Sequence, residues 1–160
     1  MEMPSRAEVP GLWEVEGSLR DVYISPTSVN DWEHLLTLAQ DTGARYWLGG
    51  SERALPSAKE IFENQGEPHL LVVELGGVSV NCHFFLPDEI ELDIDPREVV
   101  GEAEHSAVLS FVGRLASLIG RDAVVTPENS QDLPFLRFEA ASGKWAVRLA
   151  NDPFSLRSPD

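Results

Sequence analysis

The alternation of apolar and polar residues through His69–Asp95 constrains the fold more than any other feature of the chain. Three stretches of period-two alternation follow one another, separated by Gly76-Gly77 and by Pro87-Asp88. Alternation of this kind is typical of half-buried strands, and such glycine and proline pairs are typical of the turns between them. We therefore predict a three-stranded antiparallel meander.

The register of this meander can be predicted because side chains alternate between the two faces of a strand. A two-residue turn at Gly76-Gly77 sets Leu71 opposite Cys82 and makes that face apolar. A five-residue connection, Phe85–Glu89, then sets Leu92 opposite Cys82 and continues the apolar face. The opposite face sets Glu74 opposite Ser79, Val72 opposite Asn81 and Leu70 opposite His83. The third strand adds acidic residues to this face, with Glu91 beside His83 and Asp93 beside Asn81.

Capping signals and apolar periodicity predict three helices. In the first, Trp32, Leu35 and Leu36 recur with the spacing of a core-facing stripe. The predicted helices are Val29–Gln40 with Ser28 as N-cap and Gly43 as closing residue, a short helix that follows Ser57 and ends near Gln65, and a long helix that begins at Asp95-Pro96 or near Glu102 and ends at Gly120.

Further strands are predicted from shorter apolar runs between turn residues. In the last of them, we expect Phe138 to lie opposite Val147. The predicted elements are a first hairpin of Leu12–Glu16 and Leu19–Ser25, single strands at Ala44–Leu48 and Ala123–Thr126, and a last hairpin of Phe135–Ala141 and Lys144–Leu149 that turns at Ser142-Gly143.

Together these elements predict an α+β fold in a single domain. It consists of a mainly antiparallel sheet with two amphipathic helices and one short helix packed on one face. A length of 160 residues is ordinary for one domain. We expect the domain to span 11–150, between a flexible N-terminal segment at 1–10 and a flexible C-terminal tail at 151–160. The order of the hairpins within the sheet cannot be read from the pattern.

The net charge of −15 is the strongest bias in composition. Binding to a phosphate backbone depends largely on Lys and Arg, so 27 acids against 12 bases disfavour a nucleic-acid partner. The lone Cys82 excludes an internal disulfide and fits a reducing cytosol. The first residues lack the apolar core of a signal peptide, and no apolar run is long enough to span a membrane. We therefore expect a soluble cytoplasmic protein without a membrane partner.

Two sequence pairs resemble catalytic or metal-binding motifs. Cys82 and His83 are the residue types of a thiolate–imidazole pair, but adjacent strand residues point to opposite faces, so we predict a buried structural thiol. Glu102-x-x-His105 matches half of a di-iron motif, and the chain offers no second half, so we predict a surface pair. We find no other catalytic motif, and the residues favour a non-enzymatic function over an enzymatic one.

The polar face of the meander is the strongest candidate site. Carboxylates and an imidazole on one face can hold a divalent ion or tune a carboxyl group for proton transfer. The ordinary explanation is a sheet face that is polar because water covers it. The candidate residues for a partner or a metal are Glu74, Asn81, His83, Glu91 and Asp93.

We expect a non-enzymatic, acidic protein-binding module that needs no cofactor and meets another protein, one with a basic surface. A specific version is a bacterial immunity or antitoxin-type inhibitor that covers the basic active site of a toxin acting on nucleic acid. The alternative is a metal-assisted hydrolase or a small-ligand-binding protein that uses the acidic face of the meander. A homo-oligomer paired through an open sheet edge is a third hypothesis.

Overall fold

The computed structural model describes residues 2–149 and 152–157. Within these residues ten strands form one antiparallel sheet, accompanied by three α-helices and two short 3-10 helices, which confirms the predicted α+β single domain. The helices are α1 (Val29–Thr42), α2 (Ala58–Glu63) and α3 (Glu102–Ile119), and the 3-10 helices lie at Arg6–Glu8 and Pro96–Glu98. The strands are β1 (Arg20–Ile24), β2 (Ala44–Leu48), β3 (Ser51–Arg53), β4 (His69–Glu74), β5 (Ser79–Leu86), β6 (Glu89–Ile94), β7 (Ala123–Pro127), β8 (Leu136–Glu139), β9 (Lys144–Leu149) and β10 (Asp152–Arg157).

Strand β1 lies near the middle of the sheet and joins its two halves. The strand order is β10-β9-β8-β7-β1-β6-β5-β4-β2-β3. Val22 lies opposite Leu92 of β6 on one side and opposite Val125 of β7 on the other. All five residues of β1 are buried. The meander β4–β6 and the C-terminal strands therefore belong to the same sheet because β1 pairs with both.

One face of the sheet packs against all three helices and forms the core. The ring of Trp32 in α1 lies 5.0 Å from that of Phe84 in β5 and 5.1 Å from that of Phe62 in α2. Burial of each large apolar side chain contributes about 1.5–3 kcal/mol, so this layer drives folding. The core cluster takes alternate residues from the strands, among them Val22, Ile24, Leu71, Val73, Val80, Cys82, Leu92, Ile94, Val125, Leu136 and Phe138.

The opposite face of the sheet lies outside this core cluster, and we call it the outer face. The buried stripes of the three helices belong to the core cluster, so none of these helices covers the outer face. Between β2 and β1, the residues of the outer face include Asp21, Tyr23, Arg45, Trp47, Leu70, Val72, Asn81, His83, Glu89, Glu91 and Asp93. Beyond β1 the face continues with Val124 of β7 and Arg137 of β8.

The predicted register of the meander is confirmed. Leu71 lies opposite Cys82, and Cys82 lies opposite Leu92, all on the core face. Glu91 lies beside His83 as expected. The second connection is shorter than the predicted five residues, because a register shift between His83 and Leu86 brings Leu86 opposite Glu89.

The predicted helices are confirmed, with small changes at their ends. Ser28 caps α1 in a reciprocal capping box with Asp31, and Gly43 follows the helix. Ser57 caps α2, which ends two residues before the predicted Gln65. The long helix begins at Glu102, the second of its two predicted starts, and Gly120 closes it in the left-handed conformation that favours glycine.

Three predicted details of the strands are wrong or incomplete. The first hairpin is absent, because Leu12–Glu16 forms turns and irregular backbone and only Arg20–Ile24 is a strand. In the last hairpin Phe138 lies opposite Trp145 rather than Val147, a slip of two residues that keeps every side chain on its predicted face. Strands β3 and β10 were not predicted.

Both ends of the chain contain secondary structure among the described residues. A 3-10 helix lies within 1–10, and β10 lies within 151–160, where we expect flexibility. Met1, 150–151 and 158–160 lie outside the described residues, so the flexibility of the ends stays a prediction. Among the described residues, no helix combines the length and apolar character needed to cross a bilayer.

Arg20 replaces the missing hairpin as the organiser of the segment before β1. Its side chain is 1% exposed, and its Nε donates to the Leu12 carbonyl at 2.5 Å. Its Nη2 donates to the carbonyls of Gly11 at 3.1 Å and Glu14 at 3.2 Å. The guanidinium also lies over the ring of Phe135, at 5.2 Å from its centroid. One buried cation thus satisfies backbone carbonyls that a strand partner would otherwise satisfy.

We expect Arg20→Met to be strongly destabilising. The methionine keeps part of the apolar stem but leaves the buried Leu12 carbonyl and two partly buried carbonyls without this donor, so the free energy of unfolding should fall by about 3–5 kcal/mol in urea titration. Arg20→Lys should recover part of this loss, because one ammonium cannot reach all the carbonyls. Arg114→Met, at an exposed position of α3, is the control. A loss below about 1 kcal/mol for Arg20→Met would contradict the proposed role.

We expect the thiol of Cys82 to be unreactive in the folded protein. It is fully buried, and burial raises the pKa of the thiol, so little thiolate forms. Labelling with an aromatic disulfide should require denaturant. The double variant Cys82→Ala/His83→Cys moves the thiol to the outer face and should label without denaturant. Equal labelling of the two folded proteins would show that the register is wrong by one residue.

Candidate functional site

Two rows of side chains cross the outer face from β2 to β1. The neighbouring strands set these side chains opposite one another, with an aliphatic residue from β4, a neutral or basic polar residue from β5 and an acidic residue from β6 in each row. The first row is Trp47, Leu70, His83, Glu91 and Tyr23, and the second is Arg45, Val72, Asn81, Asp93 and Asp21. Between β2 and β1, the outer face therefore has an acidic end beside β1, near the middle of the sheet, and an apolar end beside β2.

The acidic end is built around Asp21, Glu89, Glu91 and Asp93, which we call the acidic cluster. The hydroxyl of Tyr23 donates to Oδ2 of Asp21 at 2.9 Å and lies 3.4 Å from Oε1 of Glu91. The backbone N–H of Asn129, in the loop after β7, donates to the same oxygen of Asp21 at 2.8 Å. These contacts hold the carboxylates of two strands close together, and they leave Asp21 only 4% exposed.

His83 and Asn81 hold the fourth carboxylate. Nε2 of His83 lies 2.6 Å from Oδ2 of Asp93, and the Asn81 amide donates to Oδ1 at 2.8 Å. The imidazole stacks on the ring of Phe85, with centroids 5.3 Å apart. The hydrogen bond that His83 donates to Asp93 raises the pKa of His83, and the charges of Asp93 and Glu91 add to the shift. His83 therefore gains a proton more readily than a free histidine does.

The charge of the acidic cluster is poorly compensated. Burial raises the pKa of Glu91, and the nearby carboxylates of Asp21 and Glu89 raise it further. Burial and the hydrogen bond to Asp21 likewise raise the pKa of Tyr23. Among the ion pairs between described residues, His83 is the one basic side chain that meets these carboxylates. The folded protein thus holds like charges together at a cost to its stability.

The other end of the outer face is an apolar groove. It has a volume of about 390 Å³ and is lined by Trp47, Gly50, Pro68, Leu70 and Val72, and we call it the apolar groove. The guanidinium of Arg45 lies 5.1 Å from the centroid of the Trp47 ring and is paired with Glu52 at 2.6 Å. Phe85, at the end of β5, is 63% exposed. Apolar side chains are therefore open to a partner beside the acidic cluster.

The structure brings together four of the five predicted site residues. Asn81, His83, Glu91 and Asp93 lie on adjacent strands, and the bonds described above connect three of them directly. Glu74 lies apart, at the end of β4, where the hydroxyl of Ser79 donates to its carboxylate at 2.9 Å. It marks the margin of the site.

Sequence reasoning missed Asp21 and Tyr23. Both alternate with the apolar residues of β1, and this alternation shows that they share a face. Their place beside Glu91 and Asp93 follows from the pairing of β1 with β6, which the sequence pattern does not reveal. No short-range signal could have found them.

The described residues contain no group of three His, Cys, Asp or Glu side chains placed to hold one metal ion. Cys82 and His83 point to opposite faces, as predicted, so they form no catalytic pair. The outer face offers hydrogen-bonded pairs of polar groups rather than a converging ligand set.

His105 is buried, which overturns the predicted surface pair with Glu102. Its Nδ1 accepts the indole N–H of Trp13 at 2.9 Å, and its Nε2–H donates to the Pro4 carbonyl at 2.8 Å. Because an indole N–H can only donate, the neutral tautomer protonated on Nε2 satisfies both bonds. Glu102 is exposed and accepts the backbone N–H of Arg6 at 2.9 Å. His105 therefore attaches the N-terminal segment to α3.

His69 also uses both ring nitrogens in hydrogen bonds. Its Nδ1 lies 2.5 Å from the hydroxyl of Tyr46, and its Nε2 contacts the Asn64 carbonyl. The side chain lies on the core face of β4 and is buried. Both histidines have structural roles away from the outer face.

We expect the stabilising contribution of His83 to depend on pH. The pKa of His83 is raised in the folded state, so its contribution is fully present below the pKa of an unfolded histidine, about 6.5. The contribution is lost as the pH rises through the higher folded-state pKa. His83→Gln should therefore lower the free energy of unfolding more at a pH of about 5.5 than at about 8.5, as measured in urea.

The matched control for this prediction is His34→Gln, at an exposed position of α1. It makes the same substitution at a position away from the acidic cluster. An equal loss of stability for His83→Gln at both pH values would mean that the ion pair with Asp93 contributes nothing to folding.

Comparisons with protein-family models, with curated proteins and with solved structures found no match for this chain.

Proposed function

We propose that the protein is a non-enzymatic binding module whose outer face contacts a basic region of a partner protein. The observation that carries the proposal is the acidic cluster, in which the half-buried carboxylates of Glu89, Glu91 and Asp93 lie around the buried carboxylate of Asp21. Among the described residues, His83 is the basic side chain that forms an ion pair with this cluster. Arg or Lys side chains of a partner would relieve this repulsion and would also speed the encounter between the two proteins.

The energetics of Glu91 support a role beyond folding. Its raised pKa means that the charged form is disfavoured in the folded protein, so the residue lowers stability at neutral pH. Residues that are kept at a cost to stability are typical of functional sites. A basic partner would reverse this cost, because the charged form of Glu91 would then be the favoured one.

The apolar groove supports a protein as the partner. Protein interfaces combine aromatic and aliphatic contacts at their centre with charged groups around them. Trp47 lines the groove, and Phe85 is exposed beside His83. A partner that offered charge alone would leave these apolar side chains in water.

One specific form of this function is a bacterial immunity or antitoxin-type inhibitor that acts in the cytoplasm. A toxin that acts on nucleic acid needs an active site rich in Arg and Lys, because its substrate is a phosphate backbone. An acidic surface on a small protein suits such a site, and the net charge of −15 supports this form. The metal-assisted hydrolase has less support, since it requires converging ligands.

We expect the double variant Glu89→Gln/Glu91→Gln to weaken binding of a basic partner while leaving the fold intact. Capture from native lysate at about 100 mM salt identifies proteins retained by the wild type and depleted by the variant, and titration of a purified candidate gives its affinity. Binding should weaken about tenfold or more and should fall as salt increases. Unfolding in urea should show unchanged or higher stability, because repulsion within the cluster is removed.

The control is Glu14→Gln/Glu63→Gln, which removes the same charge at exposed positions outside the outer face. It should bind as the wild type does. If both double variants bind every captured basic protein with equal affinity, the acidic cluster is not the binding site.

A further inference from the structure

We propose that the part of the partner that lies on the outer face is an amphipathic helix running across the strands. Its apolar side chains enter the apolar groove, and its Arg or Lys side chains, two turns away on the same side, lie over the acidic cluster. This inference rests on the proposed function and specifies the shape and residue pattern of the partner.

Two strand spacings separate the apolar groove from the acidic cluster. Leu70 and Val72 lie on β4, and Glu91 and Asp93 lie on β6, with β5 between them. Neighbouring strands are about 4.8 Å apart, so the apolar and acidic positions are separated by about 9.6 Å across the sheet. A partner must therefore present an apolar and a basic side chain at about this separation.

This separation is close to a repeat of the α-helix and differs from the repeats of an extended chain. In an α-helix, residues seven apart share a face and are about 10.5 Å apart along the axis. In an extended chain, residues on one side are about 6.7 Å or about 13.4 Å apart, and neither matches two strand spacings. The separation between the groove and the cluster therefore fits a helix better than an added strand.

The width of the site also fits a single helix. Each end of the outer face carries two side chains in neighbouring rows, Leu70 with Val72 and Glu91 with Asp93. Residues two apart on a strand are about 6.7 Å apart, and a helix with side chains is about 10 Å wide. One helix therefore covers both rows, with residues three and four apart alternating between them.

A second copy of this chain is a poor occupant. The chain has a net charge of −15, and a symmetric pairing through the outer face would set one acidic cluster near another. Like charges brought together across an interface oppose association. The neighbouring apolar groove and acidic cluster call for a partner that is apolar at one end of its contact and basic at the other.

Two designed peptides of identical composition test this inference. Both are helical, about 18 residues long and equally basic. In the first, Leu and Arg positions lie seven residues apart on one face, and in the second the same residues are permuted so that Arg lies on the face opposite Leu. We expect the first peptide to bind at least about tenfold more tightly in a fluorescence titration and to gain helical circular dichroism when it binds.

Two variants of the protein locate the contacts. Leu70→Asn should weaken binding of the first peptide and leave binding of the permuted peptide nearly unchanged, because the groove contact requires the matched spacing. Glu89→Gln/Glu91→Gln should weaken binding of both peptides. Urea unfolding of each variant checks that the fold is retained, and Glu14→Gln/Glu63→Gln is the control for charge.

The outcomes separate this inference from the proposed function. If the two peptides bind the wild type with equal affinity and both bind Glu89→Gln/Glu91→Gln more weakly, the inference of a helical partner is wrong. The proposed acidic binding face would still be supported. If Glu89→Gln/Glu91→Gln binds the peptides as tightly as the wild type does, both the helical partner and the proposed function are wrong. If sedimentation shows that the wild type is a dimer and that Leu70→Asn dissociates it, the occupant of the outer face is a second copy of the chain rather than a helix of a partner.

Discussion

The pairing of β1 with β6 on one side and with β7 on the other is the interaction on which the rest of the structure depends. It makes one sheet from the meander and the C-terminal strands. Because side chains alternate along a strand, the pairing that continues the core with Val22 also places Asp21 on the outer face beside Asp93. The core and the acidic cluster are therefore consequences of the same register. A shift of β1 by one residue would turn Val22 to the outer face and Asp21 to the core, and so would disrupt both.

The two faces of this sheet contribute to the molecule in opposite ways. The core face provides the favourable free energy of folding through burial of apolar side chains under the helices. The outer face offsets part of that gain, since Glu91 is held with a raised pKa among other carboxylates. His83 relieves the repulsion partly, through its contact with Asp93. This repulsion and the apolar groove near it are the two observations on which the proposed binding to a basic protein rests.

Buried polar side chains attach the irregular segments to this framework. Arg20 holds the chain before β1 through backbone carbonyls, and His105 joins Trp13 to Pro4 beneath the N-terminal 3-10 helix. His69 does the same for the end of α2 through Asn64. In each case one side chain with several donors or acceptors satisfies groups that have no strand or helix partner, which explains why these residues are buried despite their polarity.

The sequence by itself determined the elements whose contacts are local: the meander with its register, the caps of α1 and α2, and the placement of Cys82 in the core with His83 on the outer face. It also grouped Asn81, His83, Glu91 and Asp93, because a short turn leaves a hairpin few registers. The slip in the last hairpin arose because a shift of two residues keeps the same faces and so leaves the apolar pattern unchanged. Only the tertiary structure decided the strand order, the burial of Arg20 and His105, and the place of Asp21 and Tyr23. Those contacts join residues far apart in the chain, where alternation shows which face a side chain occupies but not which strand lies beside it.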